Sequence, residues 1–414
     1  MMDAQTTLSK LTLILIAGLF AVSCGTESDG EPVLNEPPTY SFERNGESSV
    51  SFSGQTTRIQ MGDELFVSML DFDNSTEELL LQMYRNQTAD GNDADPWSDA
   101  DLNASDKSIK SKVAASSDYF ASNATLSAEL KNDFETWISA QINEVFPNRN
   151  VLAQPGIAGQ IAQGSSTRYV SGEGLEYDQL VNKSLIGALM ADQMLNNYLS
   201  PSVLDAGTNR DNNDDGVTES GTTYTTMEHK WDEAYGYIYG TAQNPANPNA
   251  TIGDDDRFLN KYVGQVSEDE DFSHLATDIF DAFKKGRAAI VAGEYEIRDQ
   301  QAEIIREAIS KAIAVRGVYY LQAGKRQLSE ETPQYGAAFH SLSEGYGFIY
   351  SLQFTREPGT NEPYLSNSEV TDLLDRLLGD GENGLWDVTG ETLDELSAEI
   401  ADHFEFTVEE AAAN

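Results

Sequence analysis

The segment "HKWDEAYGYIYG" begins at His229, and "HSLSEGYGFIYS" repeats its plan from His340. Counted from the histidine, both carry Glu at +4, Tyr at +6, Gly at +7, Ile at +9 and Tyr at +10. The chain holds only four histidines, so two of them heading one pattern argue for a duplicated element. At about 100° per residue, a helix brings His229, Glu233 and Gly236 within roughly 60° of one another, and His340, Glu344 and Gly347 likewise. Each copy therefore predicts a helix with a His-Glu-Gly stripe, tyrosines on an adjacent face and the isoleucine opposite. Any fold for this chain has to accommodate two such helices.

Helical periodicity surrounds both copies. Segments such as "STEELLLQMYRNQ", "LSAELKNDFETWISAQINEVF", "EYDQLVNKSLIGALMADQMLNNYL", "FSHLATDIFDAFKKGRAAIVAGE" and "RDQQAEIIREAISKAIAVRGVYYLQAGK" space apolar residues three and four apart. Most begin near Ser, Thr, Asp or Asn, as helix starts do. The expected fold class is all-α. A long helix precedes each copy, around 185–199 and 304–322, which predicts two related helical bundles made by internal duplication from antiparallel neighbours. The first is expected over 39–250 and the second over 251–414. With 39% hydrophobic residues in 414, the chain can bury a core of that size. Ahead of the helices, Asn45-Gly46 sits between two short alternating runs in "TYSFERNGESSVSFSG", which predicts a short N-terminal β-hairpin.

The first residues read as a targeting segment. Lys10 precedes the apolar run "LTLILIAGLFAVS", and Cys24, the only cysteine, follows it. That run is shorter than the roughly 20 residues a membrane-spanning helix needs, so residues 1–23 are expected to be a signal peptide. The ending "AVSC" looks like a bacterial lipobox, which places a lipid on Cys24 and ties the protein to a membrane. Residues 24–38 are polar, acidic and Pro-containing, as a flexible tether is. The expected location is the outer membrane, as a lipoprotein facing the periplasm or the cell surface. The formal charge of −43 repels phosphate backbones, so nucleic-acid binding is not expected. The bulk acidity serves chiefly for solubility.

The repeat carries the chemistry. A histidine and a carboxylate at i and i+4 can share a metal ion, and neutral imidazole with carboxylate suits zinc, iron or manganese. The candidate ligands are His229, Asp232, Glu233, His340 and Glu344. The same pairs can instead be hydrogen-bonded couples inside a helix interface. A second candidate is the stretch "DNNDDGVTES", where Asp211, Asn213 and Asp215 ahead of Gly216 satisfy the first half of a calcium loop. Position 12 is Thr222 and lacks the bidentate glutamate, so 211–222 reads either as a calcium loop or as an acidic turn. His274 with Asp278 reads as a surface or interface pair, and His403 as a helix-end residue. Gly172 and Gly174 in "SGEGLEY" precede a helix, but no strand is expected before them, which argues against a phosphate loop.

The "SFERNG" hairpin, the segment "GLEYDQLVNKSLIGALMADQ" and the two motifs resemble an uncharacterised lipoprotein family related to the imelysins, over most of residues 35–410 in segment order. Imelysins are helical proteins of two related bundles, linked to iron uptake and once classed as metallopeptidases. Their signature is a histidine followed three residues later by glutamate. Here His229 has Asp232 at that place and His340 has Ser343, so the signature carries over to His229 with Asp232 or Glu233, while only Glu344 remains beside His340. His-Glu-x-x-His is absent, and peptidase activity is not expected. The resemblance implies a non-enzymatic envelope protein that binds a metal, iron above all, or presents a binding face to an uptake component. The alternative is a structural or interaction lipoprotein whose repeated pairs only tie helices together.

Overall fold

In the computed structural model residues 34–413 are described; the expected signal peptide, Cys24 and the tether as far as residue 33 lie outside the described residues. Asn45 and Gly46 both take positive φ, 57° and 83°, as the central pair of a type I′ turn must. They join β1 (Glu43–Arg44) to β2 (Glu47–Ser48) in antiparallel register, and the expected hairpin forms. A helix, Ser53–Ser68, follows it. A second antiparallel pair, β3 (Gly159–Gln163) and β4 (Ser166–Val170), turns at Gly164. The sequence reading misses this pair, and β4 does precede Gly172 and Gly174. The Gly172 amide is nonetheless engaged, donating to the Glu144 carboxylate at 2.8 Å.

The rest is helical in character, with sixteen α-helices among the described residues. Four of them position the repeat. The first motif helix is Thr226–Tyr239 and the second is Tyr335–Ser351. A long helix, Tyr295–Leu328, runs directly before the second. The central helix starts at Tyr177–Leu185 and widens into π-helical turns at Ile186–Ala191 and Met194–Tyr198. Every residue from Gly174 to Ser200 is buried, so this helix is enclosed on all faces. The second motif helix packs against the central and long helices. The first packs against Ser53–Ser68, against the helix Leu275–Ala292 and against the last π-helical turn of the central helix.

Local chemistry explains how the motif helices begin. Thr225 accepts from the Glu228 amide while the Glu228 carboxylate accepts from the Thr225 amide, a capping box that satisfies two helix-end donors. The second motif helix has no side-chain cap and depends on packing instead. Nearly all of it from Ala338 to Ser351 is buried.

Candidate functional site

On the first motif helix the most buried acids lie beside the His-Glu stripe rather than in it. Asp232 and Arg287 are fully buried, and Glu228 is 1% exposed. Arg287 donates to Asp232 at 3.1 Å and to Glu228 at 2.9 Å, and its remaining nitrogen reaches the Ser49 carbonyl and hydroxyl. Arg44, from the hairpin, adds a two-pronged contact to Glu228 at 2.7 and 3.1 Å. Tyr40 donates to Asp232 at 2.6 Å and stacks on Tyr235, the +6 tyrosine, with centroids 3.7 Å apart. Two acids thus meet two guanidinium groups, the arrangement that offsets the cost of burying charge. Burial pushes the Asp232 carboxyl up to about 6 against the pull of Arg287. Burial also opposes ionisation of Glu228, but Arg287, Arg44 and the Thr225 amide outweigh it and hold that carboxyl below its usual range.

The stripe itself is half-buried. His229 Nδ1 lies 3.1 Å from the Ser51 carbonyl, and its ring stacks on Tyr224. Glu233 accepts from Lys230 at 2.6 Å and from Gln55 at 3.1 Å. Burial raises the Glu233 carboxyl, yet Lys230 and His229 together bring it below the ordinary value. Gly236 marks a close approach: a Cβ there would stand 2.5 Å from Phe52 Cβ.

The second motif helix builds a denser centre with the central helix. His340 Nδ1 lies 2.9 Å from the Glu176 carboxylate, and its Nε2 lies 3.9 Å from Glu344. Glu344 receives the Lys183 ammonium at 3.2 Å and the Tyr262 hydroxyl at 3.2 Å. Lys183 is itself buried, bonded to Asn182 at 2.7 Å, and rests 5.1 Å from the Tyr262 ring centre. Burial works against the Glu344 charge, but Lys183 and His340 hold its carboxyl down at about 2. Burial likewise lowers the His340 imidazole, while Glu176 and then Glu344 more than reverse that and raise it. The neighbouring Asp178 is pushed up to about 7 by burial and by Glu176. A Cβ at Gly347 would stand 2.4 Å from Lys183 Cβ, so the second glycine also marks where helices meet.

Among the described residues the two stripes share no hydrogen-bonding or ionic partner. His229 and Glu233 engage Ser51, Gln55 and Lys230; His340 and Glu344 engage Glu176, Lys183 and Tyr262. Among the described residues, no three His, Cys, Asp or Glu side chains stand poised around a common metal position. The side chains proposed for zinc, iron or manganese do not fit such an ion, because cations of the chain already lie against the carboxylates. At the calcium candidate, Asp211 and Asn213 lie within a helix, Asn209–Asp214, and Asp215 ends it. Of the expected loop, 211–214 is helical and the chain then turns at Gly216, which takes φ 66°; Asn213 points inward, donating to the Ile290 carbonyl at 2.7 Å and accepting from Thr225 at 2.7 Å, so it is engaged with the protein rather than facing an open loop. His274 is exposed ahead of the helix Leu275–Ala292, and His403 ends the helix Gly390–His403. Sequence reasoning missed Arg287, Glu228, Tyr40, Glu176 and Lys183. The one signal for the last two was the density of polar residues in and just ahead of an otherwise apolar helix, "EYDQLVNKSLIGALMADQ".

No helix among the described residues is long and apolar enough to cross a membrane. A family model described as a domain of unknown function, DUF4856, matches residues 37–407. No curated protein and no solved structure matches the chain, and the expected likeness to imelysins has no counterpart in these comparisons.

Proposed function

The chain belongs to the DUF4856 family of unknown function, and from that premise we propose a lipid-anchored cell-envelope protein that serves as a rigid binding scaffold rather than as an enzyme. The observation that carries this reading is the Lys183 ammonium 3.2 Å from Glu344, with Arg287 set between Glu228 and Asp232. A metal would have to displace a buried ammonium from the carboxylate it needs, leaving that ammonium without its counter-charge at a cost of several kcal/mol. In this reading the repeated motif locks helices together. Each motif helix meets, at its glycine, the helix that follows a β-hairpin: Gly236 against Phe52 and Gln55, Gly347 against Lys183 and Ser184. Each motif histidine also reaches a residue just ahead of that helix, Ser51 or Glu176. This parallel supports an internal duplication in which one locking device is used twice.

Elemental analysis tests the reading. The purified full chain, equilibrated with iron, zinc, manganese or calcium and then desalted, is expected to retain no stoichiometric metal. One equivalent retained by the wild type and lost in His340→Ala or His229→Ala would restore the metal-binding reading. The anchor has its own test: Cys24→Ser should move the protein from the membrane to the soluble fraction, and a variant that stays membrane-bound through detergent-free washing would refute lipidation.

A further inference from the structure

Beyond the locking centres, three helices enclose a cavity of about 280 Å³. Trp137 comes from the helix Ala124–Ala140 and Tyr346 and Tyr350 from the second motif helix. Asp133 lies among them, and Asp375, from the helix Asn367–Leu378, stands at the exposed side. The Trp137 ring meets Tyr346 at 86° with centroids 6.1 Å apart and Tyr350 at 74° with centroids 5.1 Å apart. Rings at such angles form adjoining walls rather than a flat stack.

Both carboxylates lack a cation of their own among the described residues. Asp133 accepts from the Tyr350 hydroxyl at 2.9 Å. Burial, reinforced by Glu129, raises its carboxyl. Arg376, next to Asp375, is turned to Asp372, Glu395 and Glu399. The buried acids Asp232 and Glu344 each meet an Arg or Lys, whereas at this cavity aromatic side chains line the space beside Asp133. The corresponding tyrosines of the first copy pack differently, Tyr235 on Tyr40 and Phe283 and Tyr239 on Phe283.

We propose that this cavity binds a small free organic cation with an alkylated ammonium head. Aromatic rings carry negative faces that attract cations, most strongly when the cation sheds its water, and a methylated ammonium sheds water easily. Two carboxylates without a cation of their own among the described residues supply the opposite charge, and the protein's net −43 draws cations toward it. At about 280 Å³ the cavity falls just below the roughly 300–1,000 Å³ typical of ligand pockets, which favours a small molecule such as choline. The site is independent of the motif centres, so its failure would leave the scaffold reading standing.

The test titrates the full chain in detergent with choline and with its neutral carbon isostere, 3,3-dimethylbutan-1-ol, by calorimetry and ligand-observed NMR. Choline is expected to bind, and the isostere at least about tenfold more weakly. Asp375→Asn removes an exposed charge without disturbing packing and should weaken choline about threefold. Trp137→Leu should weaken it about fivefold or more, and if that variant fails to fold, Asp375→Asn decides alone. Phosphocholine separates a free amine from a lipid headgroup: its phosphate meets Asp133 and Asp375, so it should bind more weakly than choline. Phosphocholine binding more tightly would overturn the free-amine assignment. No choline binding to the wild type at about 10 mM, a concentration at which even ~1 mM ligands register, would overturn the proposal, as would equal binding of the isostere or wild-type affinity in Asp375→Asn.

Discussion

At Arg287 four contacts replace the water a guanidinium loses on burial: Glu228 at 2.9 Å, Asp232 at 3.1 Å and the two oxygens of Ser49 at 3.2 and 3.3 Å. Arg287→Met keeps most of the volume but strands Asp232 without a cation, so it should cost about 3–5 kcal/mol in urea unfolding. A loss below about 1 kcal/mol would mean that the acids re-solvate freely. His340 gives a prediction with a sign. Its imidazole is raised by Glu176 and Glu344, so the folded state holds the proton more tightly than the unfolded chain. That stability is fully present below the unfolded value of about 6.5 and is lost as pH rises through the folded value. The difference in unfolding free energy between wild type and His340→Ala should therefore be larger at about pH 5.5 than at about pH 8.5. Glu344, held near 2, stays charged across that window, whereas Asp178, pushed up to about 7, titrates within it, so both chains carry Asp178→Asn in this comparison. Equal differences at both pH values would show that His340 contributes packing alone.

The elements were legible to the extent that their signals are local. The helices announced themselves by apolar spacing, and Asn45-Gly46 announced its hairpin because few other pairs tolerate two positive φ angles. The pair β3 and β4 gave no such signal: "GQIAQ" holds one large apolar residue, Ile161, and its turn lacks the Asn-Gly pair. The π-helical turns of the central helix have no sequence signature of comparable strength. Within the site, the His-Glu-Gly stripe was readable because it lies along one helix. Its partners were not, because Glu176 is 164 residues from His340 and Tyr40 is 192 from Asp232, and only the fold brings them together. The glycines test that packing. Gly347→Ala would place Cβ 2.4 Å from Lys183 Cβ and force two helices apart, so about 1–3 kcal/mol should be lost. Gly317→Ala, in the long helix, would meet nothing nearer than Phe348 Cβ at 3.7 Å and should be neutral or stabilising by up to about 1 kcal/mol. Reversal of that order in thermal unfolding would refute the close approach at Gly347.

For the whole molecule, 69 acidic side chains face 26 Lys and Arg, so most carboxylates cannot have a basic partner of their own. Salt acts on this balance in two directions. It weakens exposed ion pairs, each worth about 0–1 kcal/mol, and it weakens repulsion among the excess acids, which opposes the compact state. The buried centres at Arg287 and at Lys183–Glu344 lie beyond the reach of mobile ions and should respond little. Because unpaired acids outnumber paired ones, relief of repulsion should win, and Tm should rise as NaCl increases from about 0.02 to about 0.5 M, over which the screening length falls from roughly 20 Å to a few ångströms. Each kcal/mol gained should appear as a few degrees. Magnesium or calcium chloride at matched ionic strength should give the same gain, since screening depends on ionic strength rather than on a site. A Tm that falls with NaCl would mean that exposed pairs dominate the stability of this surface, and a larger gain from the divalent salt would reveal a specific cation site that the buried ion pairs do not supply.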